Sequence, residues 1–296
     1  MKVWLFVAAL PLLVAGAAIG VVSWIGSERG IHPRAGEPDH TPESVGLAVE
    51  PVTFRSRDDT RLRGWFAAGE SRAAVILAHG YGSRREELLP HAAFLHEAGY
   101  AVLLFDFRHA GESDGDAVTV GAFERLDILG ALDWLRSRSE TRDAQIVALG
   151  ISMGAAAAIL AAAESSEIAA VVAECAFRSI ESVIAQSFRH FIGIPPFPCA
   201  PITVWLAERK VGFRARNLRP DAAIARLGTR PVLLIHGLDD VLIDPSNSRA
   251  LHAAAPETSE LWLVHGAPHA HAYQTLPEDY RARVLAFFSR ALQGPV

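Results

Sequence analysis

The chain has 296 residues, half of them hydrophobic, and a formal net charge of −5 at pH 7. This length suits one large domain plus an appendage, and the composition is sufficient for a sizeable core. The mild charge forms no basic stripe, which excludes the usual kind of nucleic-acid-binding protein. Two cysteines, Cys175 and Cys199, are too few for a disulfide framework and form no C-x-x-C motif. The sequence leaves open whether they pair.

The N-terminal segment 3–26 contains no charged residue. A helix needs about 20 apolar residues to span a bilayer, and this run exceeds that length. A cleaved signal peptide is the alternative, because residues 15–17 (AGA) resemble a cleavage site, but the apolar core of such peptides has only about 7–15 residues. Trp4 and Trp24 lie near the two ends, where interfacial indoles are expected. We therefore predict a single transmembrane anchor over residues 1–26.

The membrane side of this anchor stays open. Lys2 precedes the span, while Arg29 and Arg34 follow it closely, so the positive-inside rule favours neither orientation. Residues 27–47 are polar, rich in Pro and Gly and without apolar periodicity, which predicts a linker. The segment 48–296 is then the folded domain, and the predicted location is a membrane with a single-pass N-terminal anchor.

From residue 48 the pattern alternates between strands and helices. Two short candidate strands are expected to pair antiparallel, and six apolar runs follow of the kind that is buried on both faces of a parallel sheet. The eight candidate strands are Val52–Arg55, Leu62–Ala67, Val75–His79, Ala101–Asp106, Ile146–Ile151, Ile168–Glu174, Val232–His236 and Leu261–Val264. Helices are predicted at Glu86–Ala98, Phe123–Arg136 and Met153–Ala163, from Asp244, and from Pro277 to about Ala291. This alternation predicts a doubly wound, mostly parallel α/β sheet.

Residues 177–225 interrupt the alternation and read as a helical insertion after the sixth strand. Apolar side chains recur there at roughly helical spacing and form a stripe. The stripe consists of Phe177, Ile180, Val183, Ile184, Phe188, Phe191 and Ile192. Packing of the insertion on its own domain is the favoured interpretation, and a substrate pocket is the alternative.

The strongest chemical signal is the segment GISMG at 150–154, which follows an apolar strand and precedes a helix. This context is typical of a nucleophile elbow, in which a serine stands on a tight strand-to-helix turn between glycines. The helix N-terminus adds a free amide and a positive partial charge beside a developing oxyanion. We therefore predict Ser152 as a nucleophile. The amides of Met153 and Tyr81, the latter in an HGYG turn after an earlier strand, are the predicted oxyanion donors.

A serine nucleophile needs a base and an acid that orients the base, and in this architecture both follow the serine. Two downstream strand ends supply candidates, Asp239 or Asp240 after one and His269 or His271 after the next. From position alone, both pairs stay open. His236 and His265 lie at the strand ends themselves and are read as structural. A metal site formed by His265, His269 and His271 is disfavoured because no carboxylate or thiolate has metal-like spacing nearby.

From about residue 48 to the C-terminus the chain resembles the α/β-hydrolase superfamily, most of all its monoacylglycerol-lipase and serine-aminopeptidase-like branch. The matching stretches are HGYG (79–82), DFRHAGES (106–113), GISMG (150–154), IHGLDDVLI (235–243) and GAPH (266–269). The resemblance implies that Asp240 is the acid, through an H-G-x-x-D-x-x-[VI] pattern, and that His269 is the base, through G-x-x-H. It also implies that segment 106–108 shapes a loop near the site, and that the insertion is a cap. Pro268 and Ala110 stand where this family usually has a small residue and a glycine.

The resemblance implies a serine hydrolase that cleaves a small-molecule ester through an acyl-enzyme, with no metal or cofactor. A serine peptidase or amidase, or an acyltransferase, is the alternative on the same fold, since this fold hosts many chemistries. A non-catalytic scaffold is disfavoured because no triad member is missing. Since every predicted catalytic residue lies beyond residue 78, a shortened chain that starts near Gly46 is expected to be soluble and active.

Overall fold

The computed structural model describes residues 2–293, and within them one eight-stranded sheet forms the centre of the fold. The strands are β1 Glu50–Arg55, β2 Arg61–Ala67, β3 Ala73–Ala78, β4 Ala101–Phe105, β5 Gln145–Ile151, β6 Ile168–Glu174, β7 Val232–Gly237 and β8 Ser259–Val264. All eight predicted strands are present, and their ends differ from the prediction by at most two residues, the usual uncertainty of element boundaries.

The strand order across the sheet is β1-β2-β4-β3-β5-β6-β7-β8. The β1–β2 and β2–β4 pairs are antiparallel, and all the other pairs are parallel. The expected antiparallel pair at the start of a mostly parallel sheet is therefore confirmed. The carboxyl ends of the parallel strands meet at one edge, which is where ligands bind in sheets of this kind.

Helices cover both faces of the sheet, as the doubly wound prediction requires. They are α1 Lys2–Ile31, α2 Leu89–Glu97, α3 Glu124–Ser137, α4 Met153–Glu164, α5 Ile180–Ser187, α6 Cys199–Val211, α7 Pro220–Ile224, α8 Ser246–Ala254, α9 Ala272–Thr275 and α10 Pro277–Leu292. Alternate strand residues supply two cores. Ile76 packs on the side of α3 and α4, whereas Val75 and Leu77 pack on the side of α2 and α10.

Only helices and turns lie between β6 and β7. Helix α5 runs into a π turn at Phe188–Ile192, and α6 and α7 follow. The π turn ends at Gly193, whose φ of +71° suits glycine. These elements form the cap over the edge of the sheet at which β5, β7 and β8 end.

Helix α1 is longer than predicted and ends at Ile31 instead of residue 26, so the predicted linker over 27–47 begins inside a helix. The physical reason is tertiary packing: Ser27 and Ile31 are buried, and Val118 donates its N–H to the Ile31 carbonyl at 2.8 Å. The stretch Leu10–Ile31 is long and apolar enough to span a membrane by length and composition. Residues 10–18 are exposed, whereas one side of the helix is buried or half-buried over residues 19–31. Trp24 is exposed, while the Trp4 side chain lies outside the described part of the chain.

Candidate active site

Ser152 stands on the turn between β5 and α4, as predicted for a nucleophile elbow. Its φ of +54° and ψ of −111° are strained for a residue with a side chain. The conformation is held by the Ser152 N–H, which donates to the Glu174 carbonyl at 2.8 Å. Glycine is needed at Gly154, because a Cβ there would lie 2.1 Å from the Ala78 carbonyl oxygen. The sequence pattern thus folds into a turn that presents one serine at the end of the sheet.

Three of the predicted site residues come together at this edge. His269 Nε2 lies 3.1 Å from Ser152 Oγ, and His269 Nδ1 lies 2.7 Å from Asp240 Oδ2. Both distances are within hydrogen-bond range. The three residues follow the ends of β5, β7 and β8, so the parallel sheet brings together side chains that are far apart in the sequence.

The structure also separates the paired candidates that position alone left open. Asp239 and His271 are exposed, whereas Asp240 is buried. The His271 ring faces the His269 carbonyl, with Nδ1 2.6 Å from that oxygen. His269 makes both contacts with Pro268 directly before it, and the residue after the histidine, Ala270, adopts a φ of +59°.

Asp240 is placed to remain ionised. Its Oδ1 accepts hydrogen bonds from the backbone N–H groups of Leu242 at 2.9 Å and Ile243 at 2.8 Å. Burial alone would raise the pKa of Asp240, but hydrogen bonds from His236 and His269 outweigh burial and hold this pKa well below its usual range. A charged carboxylate therefore faces Nδ1 of His269, which keeps Nε2 free to accept the Ser152 proton.

His236 is a second partner of Asp240 that the motif analysis missed. It is fully buried, with Nε2 2.7 Å from the Ile243 carbonyl and 3.2 Å from Asp240 Oδ2. Its Nδ1 faces the Ser248 hydroxyl at the start of α8. The structural role predicted for this strand-end histidine includes holding the loop that carries the acid.

Glu174 is the other residue that sequence reasoning missed. It closes β6, where its Oε1 accepts from the Ala272 N–H at 3.0 Å and its Oε2 accepts from the Tyr280 hydroxyl at 3.0 Å. Burial raises the pKa of Glu174. Glu174 thereby links the elbow, through its carbonyl, to the segment that follows His269. The available signal was an acidic residue closing an otherwise apolar strand.

The HGYG turn is fixed by buried polar groups. Phe107 donates its N–H to His79 Nε2 at 3.0 Å, so the His79 Nδ1–H donates to the Gly80 carbonyl at 2.8 Å. The Gly80 N–H donates to Glu87 Oε2 at 2.7 Å. Tyr81 and Met153 line the same cavity as Ser152 and His269. Met153 is the first residue of α4, so its amide has no acceptor within the helix. The oxyanion-donor role of the two amides stays a prediction.

A cavity of about 830 Å³ lies above Ser152. Six of the seven stripe residues line it, in keeping with the pocket interpretation, while Phe177 and Phe188 are also buried in apolar clusters, in keeping with the packing interpretation. The six are Phe177, Val183, Ile184, Phe188, Phe191 and Ile192. The seventh, Ile180, is buried in the core on the α4 side of the sheet. The wall opposite the cap comes from α1, through Val22, Ile25, Gly26, Arg29 and Gly30.

The 106–108 segment lies beside the site and is fixed by ion pairs. Asp106 accepts from the Arg85 backbone N–H at 2.9 Å and pairs with its guanidinium at 3.0 Å. Arg108 is buried and forms ion pairs with Asp127 and Asp58. Both residues lie outside the cavity lining, in keeping with the loop-shaping role that the resemblance implied.

Among residues 2–293, one group of side chains has metal-like proximity, namely Cys175, Asp240 and His269. It does not contain His265 or His271. Burial raises the pKa of Cys175 well above its usual value, so the thiol stays protonated and is a poor metal ligand. Cys175 instead accepts the Ala270 N–H at 3.4 Å. Both cysteines of the described chain are free and buried.

Comparison with known proteins identifies the family of the chain. The sequence profile of the family described as serine aminopeptidase, S33, matches residues 69–223, just over half of the chain. The chain belongs to this family. An uncharacterized Mycobacterium tuberculosis relative in the comparison, Rv2307c, is 31% identical over 271 residues, covering 88% of each protein.

Among solved structures, the S33-family chain is similar to the Pyrococcus furiosus esterase Pf2001. The two share 29% identity and a TM-score of 0.74 over 88% of this chain and 97% of that one. The uncharacterized membrane protein YNL320W of Saccharomyces cerevisiae is 24% identical over 223 residues, covering 74% of this chain and 72% of that protein. The family and the fold together identify the protein as an α/β hydrolase.

Proposed function

We propose that this S33-family hydrolase is a membrane-anchored serine esterase. Ser152 is the nucleophile, His269 the general base, and Asp240 the acid that orients the base. The observation that carries the proposal is the continuous series of contacts from Ser152 Oγ to His269 Nε2 and from His269 Nδ1 to Asp240 Oδ2, at 3.1 Å and 2.7 Å. This arrangement activates a hydroxyl that would otherwise be a weak nucleophile.

The reaction begins when His269 Nε2 accepts the Ser152 proton while Oγ attacks the ester carbonyl carbon. The resulting oxyanion accepts hydrogen bonds from the amides of Tyr81 and Met153. The tetrahedral intermediate collapses, the C–O bond to the alcohol breaks, and His269 returns the proton to the leaving alcohol. Water then attacks the acyl-enzyme with His269 as base, which releases a carboxylic acid and restores Ser152.

The cavity favours an ester over a peptide with a free N-terminus. An aminopeptidase needs an anionic group to bind the substrate ammonium, yet among the described residues that line the cavity there is no Asp or Glu. Its lining is dominated by aliphatic and aromatic side chains, which suits an uncharged acyl group. The similarity to an esterase at 29% identity supports the same choice. An acyltransferase would use the same site and differ only in the acceptor.

The anchor is proposed from the exposed apolar stretch of α1 and from the similarity to a yeast membrane protein. The full-length protein should remain in the membrane fraction after high-salt and carbonate washes, which remove electrostatically held proteins. Sequencing of the mature N-terminus distinguishes the alternatives. A start near Ala18 means a cleaved signal peptide, whereas a start at Met1 or Lys2 supports the anchor.

Labelling with a fluorophosphonate tests the catalytic proposal, because such reagents trap an activated serine beside an oxyanion hole. Wild type should be labelled at Ser152 and should hydrolyse p-nitrophenyl esters. Ser152→Ala should lose both properties, whereas Ser139→Ala, at an exposed serine just beyond the end of α3, should keep both. Normal turnover by Ser152→Ala would overturn the assignment.

A further inference from the structure

The second half of α1 is built into the cap. Small residues recur on one side of the helix at positions 23, 26, 27 and 30, which lets a neighbouring backbone approach closely. Thr203 Oγ1 of α6 donates to the Ser23 carbonyl at 3.2 Å, and Ser23 Oγ donates to the Cys199 carbonyl at 3.3 Å. Lys210 also donates to Ser27 Oγ at 3.0 Å. These contacts fix where the helix lies relative to α6.

The same half of α1 faces the cavity above Ser152. Val22, Ile25 and Gly26 line this cavity across from Ile184 and Phe188 of the cap. Gly26 sits where the two helices are closest, since a Cβ there would lie 3.2 Å from Thr203 Oγ1. Without residues 19–31 the cavity would lack one wall. The helix is therefore part of the site as well as a candidate anchor.

A hydrogen bond also joins α1 to the proposed oxyanion loop. The Tyr81 hydroxyl donates to the Arg29 carbonyl at 2.9 Å and lies 3.1 Å from the Gly30 carbonyl. Burial raises the pKa of this hydroxyl to about 12, so it stays a donor at neutral pH. The last turn of α1 thus contacts the residue whose amide is placed to bind the oxyanion.

We propose that the face of α1 that carries Val22, Ile25 and Gly26 forms the acyl-binding wall of the site, and that the substrate is a long-chain acyl ester drawn from the lipid bilayer. The proposal rests on the esterase function proposed above. The acyl chain lies between Val22 and Ile25 on one side and the cap on the other. The carbonyl carbon then reaches Ser152 at the base of the cavity.

The bilayer is the expected source because the exposed apolar part of α1 continues along the same helix into the cavity wall. Val22 is only about 18 Å along the helix from exposed Leu10, less than the roughly 30 Å of a hydrocarbon core. Phe191 and Ile192 line the cavity and are also exposed, at 69% and 46%, so they form its apolar rim. An ester that partitions into the membrane can therefore move along α1 into the cavity with little apolar surface returned to water.

Two aromatic–cation pairs lie on α1 and α6, the helices that meet at the cap. The Lys210 ammonium lies 5.6 Å from the Trp24 ring centre, and the Arg209 guanidinium lies 5.1 Å from that of Trp205. Both indoles are half exposed. Exposed Trp beside Lys or Arg is typical of the headgroup region of a membrane. The rim of the cavity is therefore expected to lie at the membrane surface.

The test compares two neighbouring valines of α1 in the full-length protein. Val22→Trp fills the proposed acyl groove, whereas Val21→Trp adds the same side chain at a position that is 56% exposed and outside the cavity lining. The measurement is the ratio of kcat/KM for p-nitrophenyl palmitate to that for p-nitrophenyl butyrate, in mixed micelles. The ratio should fall at least about ten-fold in Val22→Trp, since a bulky group in an acyl groove discriminates by chain length. It should stay within about two-fold of wild type in Val21→Trp.

Ile25→Trp provides a second variant with the same expected loss, in case Val22→Trp does not fold. Fluorophosphonate labelling of Ser152 identifies the variants whose site has formed. Equal ratios in wild type and in labelled Val22→Trp and Ile25→Trp would overturn the acyl wall and leave the esterase intact. Absence of Ser152 labelling in wild type would overturn the proposed esterase itself.

Discussion

The strand-end site, formed by Ser152, Asp240 and His269 with their supports, differs in polarity and exposure from the apolar cover. The cover is formed by the cap and residues 19–31 of α1. Ser152 and Asp240 are buried, and Asp240 accepts two backbone hydrogen bonds as well as pairing with His269. The cover is held by small-residue helix packing and exposes large side chains such as Phe191 and Trp205.

The proposed function therefore assigns reaction and selection to separate parts of the fold. Groups that hold protons and charge need fixed geometry, which the ends of a buried parallel sheet supply. Groups that select an acyl chain need only shape and apolar surface, which helices can supply without buried polar networks. Changes in the site should alter kcat for every ester, and changes in the cover should alter the preference among esters.

The greatest loss of activity is expected from changes in the strand-end site. His269→Ala and Asp240→Asn should each lower kcat by at least about 10³-fold for short and long esters alike, because triad members act as a unit. The measurement is steady-state kinetics on the butyrate and palmitate esters. His271→Ala and Asp239→Asn are the matched controls, and each should change kcat by less than about three-fold. A large loss at His271 would mean that this exposed histidine is the base instead.

An intermediate effect is expected when the two halves of α1 are removed in turn. A chain lacking residues 2–18 should leave the membrane fraction and retain its palmitate-to-butyrate ratio, because residues 19–31 remain packed on α6. A chain lacking residues 2–45 should lose at least about ten-fold in that ratio, because the wall formed by Val22 and Ile25 is gone. On this proposal a chain that starts near Gly46, expected from the sequence to be soluble and active, is active with an altered ester preference. Equal palmitate-to-butyrate ratios in the two shortened chains would contradict the separate roles of the two halves of α1.

A smaller effect is expected on the free energy of unfolding in acid. It should depend on a buried histidine of α2, outside the cover. His91 of α2 is buried among Tyr273, Tyr280 and Phe94, and burial lowers its pKa to about 3. Its unfolded pKa is about 6.5, so between pH 7 and pH 5 the unfolded chain binds a proton that the folded chain does not. The free energy of unfolding should therefore fall by about 2 kcal/mol over this range through His91 alone.

His91→Leu removes this titration and should make the loss of stability from pH 7 to pH 5 smaller by about that amount. The measurement is denaturant unfolding in detergent at the two pH values. Absolute stability at pH 7 is not the criterion, because the variant also loses aromatic contacts. The control is His190→Leu, at an exposed cap residue, which should leave the wild-type pH dependence unchanged. An unchanged dependence in His91→Leu would contradict the prediction.

Much of the fold could be predicted from the sequence because its signals are local. Continuous apolar runs marked the parallel strands, and the GISMG elbow marked Ser152 through its strand and helix neighbours. The choice of Asp240 over Asp239 came from a family pattern; in the structure Asp239 is exposed and Asp240 is buried. Periodicity alone has no means of choosing between adjacent residues at the end of a strand.

The contribution of α1 was missed because an apolar helix has no polar face to reveal which side packs. Its burial follows the spacing of small residues at Ser23, Gly26 and Ser27, a signal that the length argument for an anchor does not use. His236 and Glu174 were missed for different reasons. His236 stands four residues before Asp240 in the same H-G-x-x-D pattern, but the pattern does not show that its ring faces the carboxylate. The role of Glu174 depends on long-range contacts, to Ala272 and Tyr280, that no local motif records.

The continuous helix from Lys2 to Ile31 has a consequence for the proposed membrane anchor. If residues 19–31 belong to the cover, only the 17 residues from Lys2 to Ala18 remain to cross the bilayer, a length of about 26 Å against a hydrocarbon core of about 30 Å. Such hydrophobic mismatch is relieved when the bilayer thins or the cap sinks toward the lipid. Because one unbroken helix joins the span to the cavity, a thicker bilayer should pull on the acyl wall itself. On the proposed anchor and acyl wall, changing the lipid chain length in reconstituted vesicles is expected to change which esters are cleaved.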